Sequence, residues 1–469
     1  MKSLSIYLFR NDLRLLDNST LVRACKSDYL LPLYVLDPQF VFDAETWYFK
    51  FKRQSQLKNM FLYESLHDLR QSLLSMNSNL MIYKGKTKSI CSTLLKEYSK
   101  VYNVEFYIQK EQTYEEIQIE KQIESLCREM NIPFNSIHGN TMIEPLKNSV
   151  PKVFTSFRKI VESNLNIPKV QEIPTIPNPP KEAFGSEFQY DLVVPNTQLH
   201  KDSVIGHGGE SEGLDRVKDY FFTFDLLKEY KDTRDGLIGS NYSSKFSPYL
   251  AHGCISPRYI YKEIQRYEST RIKNKSTYWL FFELLWRDFF KFIALDLGTE
   301  LFTLNSDKWK TDKLKFEQWA TGTTGIPFID ANMKELVETG YMSNRGRQNV
   351  ASFLIKDLKL DWRLGAEYFE SLLVDHDCAS NYGNWLYASG YLDPRDRKFN
   401  TIKQSKDYDL NGDYIRLWLN LTNTDHTIHY PWVNQHSKYI KPMLIAPEWT
   451  KYTKENHHRK SKFTIKASK

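Results

Sequence analysis

Short apolar runs alternate with longer amphipathic stretches through the first third of the chain. SIYLF (5–9), LPLYVLD (31–37), NLMIYK (79–84), VEFYIQ (104–109) and FNSIHG (134–139) read as strands, and 46–76, 87–100 and 113–131 carry the helical period between them. Connections of that length pair strands in parallel, which predicts a doubly wound α/β sheet whose ligand crevice lies beyond the strands' carboxyl ends. From about residue 206 the apolar positions fall at i, i+3, i+4, and helices are expected around 213–230, 256–268, 276–296, 327–339, 343–358, 361–373 and 376–389. No strand pattern interrupts them. Between the halves, six prolines fall between 168 and 195 and make 164–205 a long extended joint, of the kind that wraps one domain across another. The expected organisation is an α/β domain over 1–140, a wrapping connector over 141–205, an all-α domain over 206–450 and a tail over 451–469.

Composition narrows the chemistry. Residues 1–150 hold two glycines, Gly85 and Gly139, so the sheet lacks both the GxGxxG turn and the P-loop. The net charge is +7, but 451–469 has seven Lys/Arg against one Glu, a net of +6, which leaves +1 (7 − 6) for everything before it. Bulk charge therefore does not argue for nucleic acid; local patches must. Five scattered cysteines with no CxxC pair suit a reduced, intracellular protein. No apolar run reaches the ~20 residues of a membrane helix, and MKSLSIYLF reads as a strand, not a targeting segment. A soluble protein of the cytoplasm or nucleus, monomeric and with no membrane partner, is expected.

Polar residues inside apolar helices carry the functional signal. In YWLFFELLWRDFFKFI (278–293), Glu283, Trp286 and Arg287 stand at i, i+3, i+4 on one face. They form either a surface stripe with a helical Glu–Arg pair or the wall of a buried ligand, since unpaired charge in an apolar wall is costly. In GYMSNRGRQNVASFLI (340–355), Asn344, Arg347 and Gln348 repeat that spacing. Arg345 points elsewhere, and Gly346 implies a close neighbour in mid-helix. In DHDCASNYGNWLY (375–387), Asp377, Asn381 and Trp385 line one face. Three such stripes in one domain argue for a shared, large polar ligand. A fourth stretch, GLIGSNYSSKFSPYLAHGCISPR (236–258), offers Ser243, Ser244, Lys245 and Ser247 with backbone N–H groups to a pyrophosphate, or else is a plain capping loop.

These motifs, with FRNDLRLLDN (9–18), VFTSFRK (153–159), GGE (208–210), YKDTRDGLIGS (230–240) and DWRLGAEYFE (361–370), resemble the photolyase/cryptochrome flavoproteins, most closely the cryptochrome-DASH branch. The resemblance is collinear along nearly the whole chain. It implies an α/β domain plus an all-α C-terminal domain holding FAD. Ser243, Ser244, Lys245, Phe246 and Ser247 would line the FAD phosphates near Tyr230. Arg347 would pair with Asp375, Asp377 would meet the flavin–ribityl region, and Asn381 would face flavin N5, with Glu283, Arg287 and Asn344 also against the cofactor. Trp385, Trp362 and Trp309 match the tryptophans that pass electrons to photoexcited flavin. Glu283, Trp286, Asn344, Arg345, Gln348 and Tyr387 would line the pocket for a flipped pyrimidine dimer. Duplex photolyases carry methionine and tryptophan where this chain has Gln348 and Tyr387, a DASH pattern that points to single-stranded DNA. The branch implies a methenyltetrahydrofolate antenna, with Glu111 as its candidate contact; a helix-start glutamate in water is the alternative. The implied activity is light-driven repair of cyclobutane dimers, and the alternative is a blue-light photoreceptor with little or no repair.

Overall fold

The computed structural model describes residues 1–146, 149–181, 189–304, 308–392, 395, 398–422 and 426–453. All five expected strands form: β1 (Ser3–Phe9), β2 (Tyr29–Leu36), β3 (Met81–Lys84), β4 (Asn103–Gln109) and β5 (Phe134–Ile137), in one parallel sheet of order β3-β2-β1-β4-β5. β1 is buried from Leu4 to Phe9, as a central parallel strand covered on both faces must be. Its register sets Leu8 against Leu33 on one side and Ile108 on the other, so the carboxyl ends open into one crevice.

Helices α1 (Ser19–Ala24), α2 (Gln56–Ser75), α3 (Thr87–Tyr98) and α4 (Tyr114–Glu129) flank the sheet. The helix expected from 46 starts ten residues later, at Gln56, capped by Ser55. Lys50, at positive φ (59°), breaks the helical path, and the backbone N–H groups of Tyr48 and Phe49 donate to Glu367 at 2.9 and 2.8 Å.

The second half consists of α5 (Phe154–Ser163), α6 (Glu210–Lys218), α7 (Tyr230–Thr233), α8 (Ser247–Ala251), α9 (Pro257–Thr270), α10 (Lys275–Leu297), α11 (Glu300–Thr303), α12 (Lys313–Ala320), α13 (Pro327–Thr339), α14 (Asn344–Ser352), α15 (Trp362–Leu372), α16 (Cys378–Ser389), α17 (Thr401–Tyr408) and α18 (Asp413–Leu419). α10 is the hub, packing against α5, α7, α9 and α16, with an Asn274/Thr277 capping box at its start. The single helix expected over 213–230 breaks up: α6 widens into a π-turn over Asp219–Thr223 before a short 3-10 turn and α7. Of the basic tail, 454–469 lie outside the described residues. Among those described, no helix is long and apolar enough to cross a membrane.

The described parts of the proline-rich joint, 164–181 and 189–205, run along the α/β layer. Gln171 exchanges backbone and side-chain bonds with Asp17, Leu30 donates to Asn178, and Tyr190 donates to Ile82 at the β3 edge. It ends where Gly208 lies so close to Phe61 of α2 that a Cβ would come within 2.2 Å of its carbonyl oxygen. Glu210, opening α6, then accepts from Leu15 and Leu16 (2.7 and 2.8 Å). Buried apolar contacts run without a break from Tyr7 to Trp449, so one core joins both halves, and a second cluster fills the far face of the sheet.

Burial pushes the Glu210 carboxyl up to about 7 even against those two backbone donors. A carboxyl raised above its unfolded value stabilises the fold most fully when protonated, and that stability is lost as pH rises from about 4.5 through about 7. The urea stability of the parent should therefore fall relative to Glu210→Gln by roughly 2 kcal/mol between pH 5 and pH 8. Parallel denaturation curves would reject this assignment if the gap stays constant.

Candidate functional site

Gly239 and Lys245, both at positive φ (83° and 58°), bend the loop between α7 and α8. Arg216 of α6 clamps it, donating to the carbonyls of Ser240 (2.9 Å), Ser243 (3.1 Å) and Ser244 (2.9 Å). The carbonyls are thus taken by one guanidinium. Among the described residues, no backbone N–H from Ser243 to Ser247 donates to a protein acceptor, and the Ser243 and Ser244 hydroxyls are likewise unpaired. Such a run of unmet donors suits a phosphate. Lys245 departs from expectation. Its ammonium folds inward, 3.2 Å from the Tyr341 hydroxyl and 3.4 Å from the Tyr242 ring centre, and burial holds its pKa well below the usual lysine range. Phe246 and Tyr230 are buried beside Tyr220.

The expected Arg347–Asp375 pair forms: Nη2 reaches both carboxylate oxygens at 2.8 and 3.0 Å. The Ser247 hydroxyl adds a 2.6 Å bond to Asp375, which ties the loop to α14 and α16. Gly346 has the close neighbour its position implied, since a Cβ there would stand 1.9 Å from Asn332 Oδ1. Asn344 is the exposed first residue of α14, after the Ser343 cap.

Asp377 caps α16 by accepting from Ser380 N (2.8 Å). Burial pushes its carboxyl up, but Lys291 at 2.9 Å and Arg287 at 4.0 Å outweigh burial and hold it well below the usual carboxylate range. Asn381 donates Nδ2 to the Ala366 carbonyl (2.9 Å), which fixes the amide plane and leaves Oδ1 without a protein donor among the described residues. An oriented, unmet amide oxygen in a buried wall is what a ring N–H requires, so the residues present fit a flavin.

Trp385 is 2% exposed and Trp362 is 1% exposed, while Trp309 is half-buried. A Cβ on Gly365, one turn after Trp362, would stand 2.1 Å from Trp385 Cη2, so the two indoles meet the same face of α15. Trp362 and Trp309 both line a cavity of about 420 Å³ at the surface. Gly365→Ala should therefore displace the Trp385 indole, cost about 2 kcal/mol as an overpacked core does, and quench less flavin fluorescence. Unchanged melting and fluorescence would reject the contact.

The stripe on α10 splits among three neighbours. Glu283 pairs with Arg234 (2.8 Å), so the helical Glu–Arg pair of the surface-stripe alternative does not form. Trp286 stacks on Phe154 (3.7 Å, 10°) and meets Tyr387 edge-on at 5.4 Å. Arg287 turns toward the α/β layer and donates to Asn140 and the Leu250 carbonyl. Arg345 does point away from Arg347: it binds Asp235 (2.9 Å) and Gln348 (3.0 Å) and covers the Tyr408 ring at 4.2 Å. Asp235 lies 3.7 Å from Arg234, which completes a charge ladder Arg345–Asp235–Arg234–Glu283.

Glu111 is not a helix-start residue in water. It is 1% exposed beside the Asn11 and Asn140 amides, and burial together with Glu116 raises its carboxyl to about 8. The cavity of about 180 Å³ at the sheet's carboxyl edge is lined by Asn11, Asp37, Glu116, Lys291 and Asp377, with Glu111 outside that lining. Sequence reading missed Arg216, Lys291, Arg234 and Asp235. Lys291 was within reach, because it continues the Arg287 stripe at i+4.

Residues 5–180 match the family model described as DNA photolyase, and 279–463 match that of the FAD binding domain of DNA photolyase. The chain is 44% identical to a cryptochrome DASH of Xenopus laevis, across 95% of this chain and 91% of that one. It is 42% identical to a cryptochrome DASH of Synechocystis, across 91% and 89%. A Synechocystis cryptochrome crystal structure superposes with a TM-score of 0.86 at 40% identity, covering 96% and 98% of the two chains. A class III photolyase of Agrobacterium tumefaciens gives 0.80 at 26% identity, covering 97% and 96%. With both halves matched and the loop, α14 and α16 shaped for such a cofactor, the chain belongs to the photolyase/cryptochrome family, in its cryptochrome-DASH branch, and carries that family's FAD-binding domain.

Proposed function

We propose that the protein repairs cyclobutane pyrimidine dimers in single-stranded DNA under blue light, as a deoxyribodipyrimidine photo-lyase. The observation that carries this reading is the aromatic corner of Trp286 and Tyr387, on α10 and α16, with the Arg345–Gln348 pair on α14, which packs against α16. An aromatic corner receives unstacked bases, and the arginine answers a backbone phosphate. The FAD domain brings the cofactor; reduced and photoexcited, it supplies the electron that splits the cyclobutane ring.

The chain's own groups divide the remaining work. The N–H groups of Ser243–Ser247 hold the pyrophosphate, Asp375 keeps Arg347 in place, and Asp377 orients the ribityl side through Lys291. Asn381 offers Oδ1 to the flavin ring and tunes its reduced form. Trp385, Trp362 and Trp309 carry electrons inward from the surface. Gln348 and Tyr387 offer less stacking area than methionine and tryptophan would, so the pocket favours an already unstacked single strand over a duplex that must be opened. Methenyltetrahydrofolate would serve as antenna against the α/β domain. The partner is dimer-containing DNA and the protein acts as a monomer. A tryptophan route that ends beside a surface cavity also suits light-driven reduction without DNA, and this favours a photoreceptor as the second reading.

Purified, reduced protein and a dimer-bearing oligonucleotide, single- or double-stranded, in blue light and in darkness, decide between them. Repair should be confined to light and to the single strand. No repair on either substrate removes the enzyme reading, and equal repair of both removes the strand preference.

A further inference from the structure

Tyr382 follows Asn381 on α16 but faces another way. Its phenol is buried and donates to Glu370 Oε2 of α15 at 2.8 Å. Its ring meets Trp362 edge-on at 6.4 Å and 84°, and Phe302 at 4.7 Å. One tyrosine thus touches the middle member of the tryptophan route with its ring and a carboxylate with its hydroxyl.

The surroundings suit Glu370 to receive a proton. Its other oxygen faces Arg53 at 3.3 Å, but that guanidinium also binds Glu115 through two 2.8 Å bonds. One cation is therefore shared by two carboxylates. The Lys58 ammonium binds backbone carbonyls of Arg53 and Glu370 and not the Glu370 carboxylate. Glu367, which also faces the phenol, accepts from Thr46, Tyr48 and Phe49. His376 is kept neutral by burial. Glu370 and His376 both line the cavity of about 180 Å³, so a proton arriving at Glu370 has a way out.

We propose that Tyr382 is a proton-coupled electron donor to Trp362, with Glu370 as its base. This rests on the electron-delivery reading of Trp385, Trp362 and Trp309. The oxidant is the indole radical cation left on Trp362 once its electron has moved to Trp385, which photoexcited flavin has oxidised. Trp362 takes one electron from the phenol; the phenol O–H bond breaks and its proton passes to Glu370 Oε2. The products are neutral Trp362, a neutral tyrosyl radical and a neutral carboxylic acid. Net charge is zero before and after. A buried phenol radical cation would be costly, and a carboxylate at 2.8 Å is within range to take the proton. Once the proton has left, the hole is stored on tyrosine and return of the electron is slowed.

The test is time-resolved EPR on full-length, flavin-loaded protein under blue light, with ordinary and with ring-deuterated tyrosine. The expected record is a tryptophanyl signal followed by a tyrosyl signal that narrows on deuteration and appears more slowly in D₂O. Tyr382→Phe should remove the tyrosyl signal and shorten the radical lifetime about tenfold, equivalent to about 1.4 kcal/mol. Glu370→Gln, which keeps an acceptor oxygen but is a far weaker base, should remove the tyrosyl signal while leaving the tryptophanyl one. Tryptophanyl radicals with no tyrosyl successor in the parent overturn the proposal while the tryptophan route stands. A tyrosyl signal unaffected by Tyr382→Phe also overturns it. No radical of either kind overturns the tryptophan route and this proposal together. The deuterium spectrum of the parent reads the outcome independently of how either variant folds.

Discussion

Asp375→Ala should yield protein that purifies without flavin and unfolds with about 3 kcal/mol less free energy than the parent. The Asp375 side chain is 2% exposed and accepts three bonds, two from Arg347 and one from Ser247. Removing it leaves the guanidinium with the Met342 carbonyl and the Tyr341 ring but no counter-charge in contact with it among the described residues, and an unpaired charge costs more than the pair returned. Arg347 keeps 26% of its side chain exposed, which sets the cost at the lower end of the buried-pair range. It also frees the loop whose unmet N–H groups are proposed to hold the phosphates, so stability and cofactor retention should fall together. Guanidinium denaturation and the flavin-to-protein absorbance ratio measure the two separately. Full flavin content with stability within about 1 kcal/mol of the parent would remove Asp375 from the binding wall.

Trp385→Phe should slow light-driven reduction of oxidised flavin at least about 100-fold, equivalent to about 2.7 kcal/mol of barrier. Repair by chemically reduced protein should stay near the parent rate. Phenylalanine keeps a ring against Phe369 and leaves a small void beside Gly365, a modest cost the fold can bear, but a benzene ring cannot give up an electron at indole's potential. The contrast between the two assays separates delivery from chemistry. Equal photoreduction would place the entry point elsewhere, and a matching loss of repair would make Trp385 a substrate or packing residue.

The strands and most helices were legible because period-2 and 3.6 patterns are local consequences of which face is buried. What escaped was decided at a distance. Residues 46–55 look helical, yet Thr46, Tyr48 and Phe49 are held by Glu367, 321 positions on from Thr46, and Lys50 is turned to positive φ (59°), which a helix cannot pass through. The loop serines suited a phosphate from type and order alone. That Lys245 turns away from them follows from its left-handed backbone and the Tyr242 and Tyr341 rings. Helical spacing correctly grouped Glu283, Trp286 and Arg287 but could not show that a face about 100° wide meets three neighbours. Arg216 carries no local signal at all, because its partners are backbone carbonyls in another segment.

The unbroken core from Tyr7 to Trp449 has a consequence for how the molecule comes apart. Two architectures usually mean two modules, each able to melt, be excised or be exchanged by itself. Here the described parts of the joint are stitched to the sheet and the first turn of α6 is held by Leu15 and Leu16, so those residues offer no seam between the halves. The sheet and the helices should denature in one cooperative transition. A fragment ending near residue 205 would expose the apolar surface its missing half covers and would aggregate. The distance between the crevice at the sheet edge and α16 is then expected to be a fixed property of the folded state.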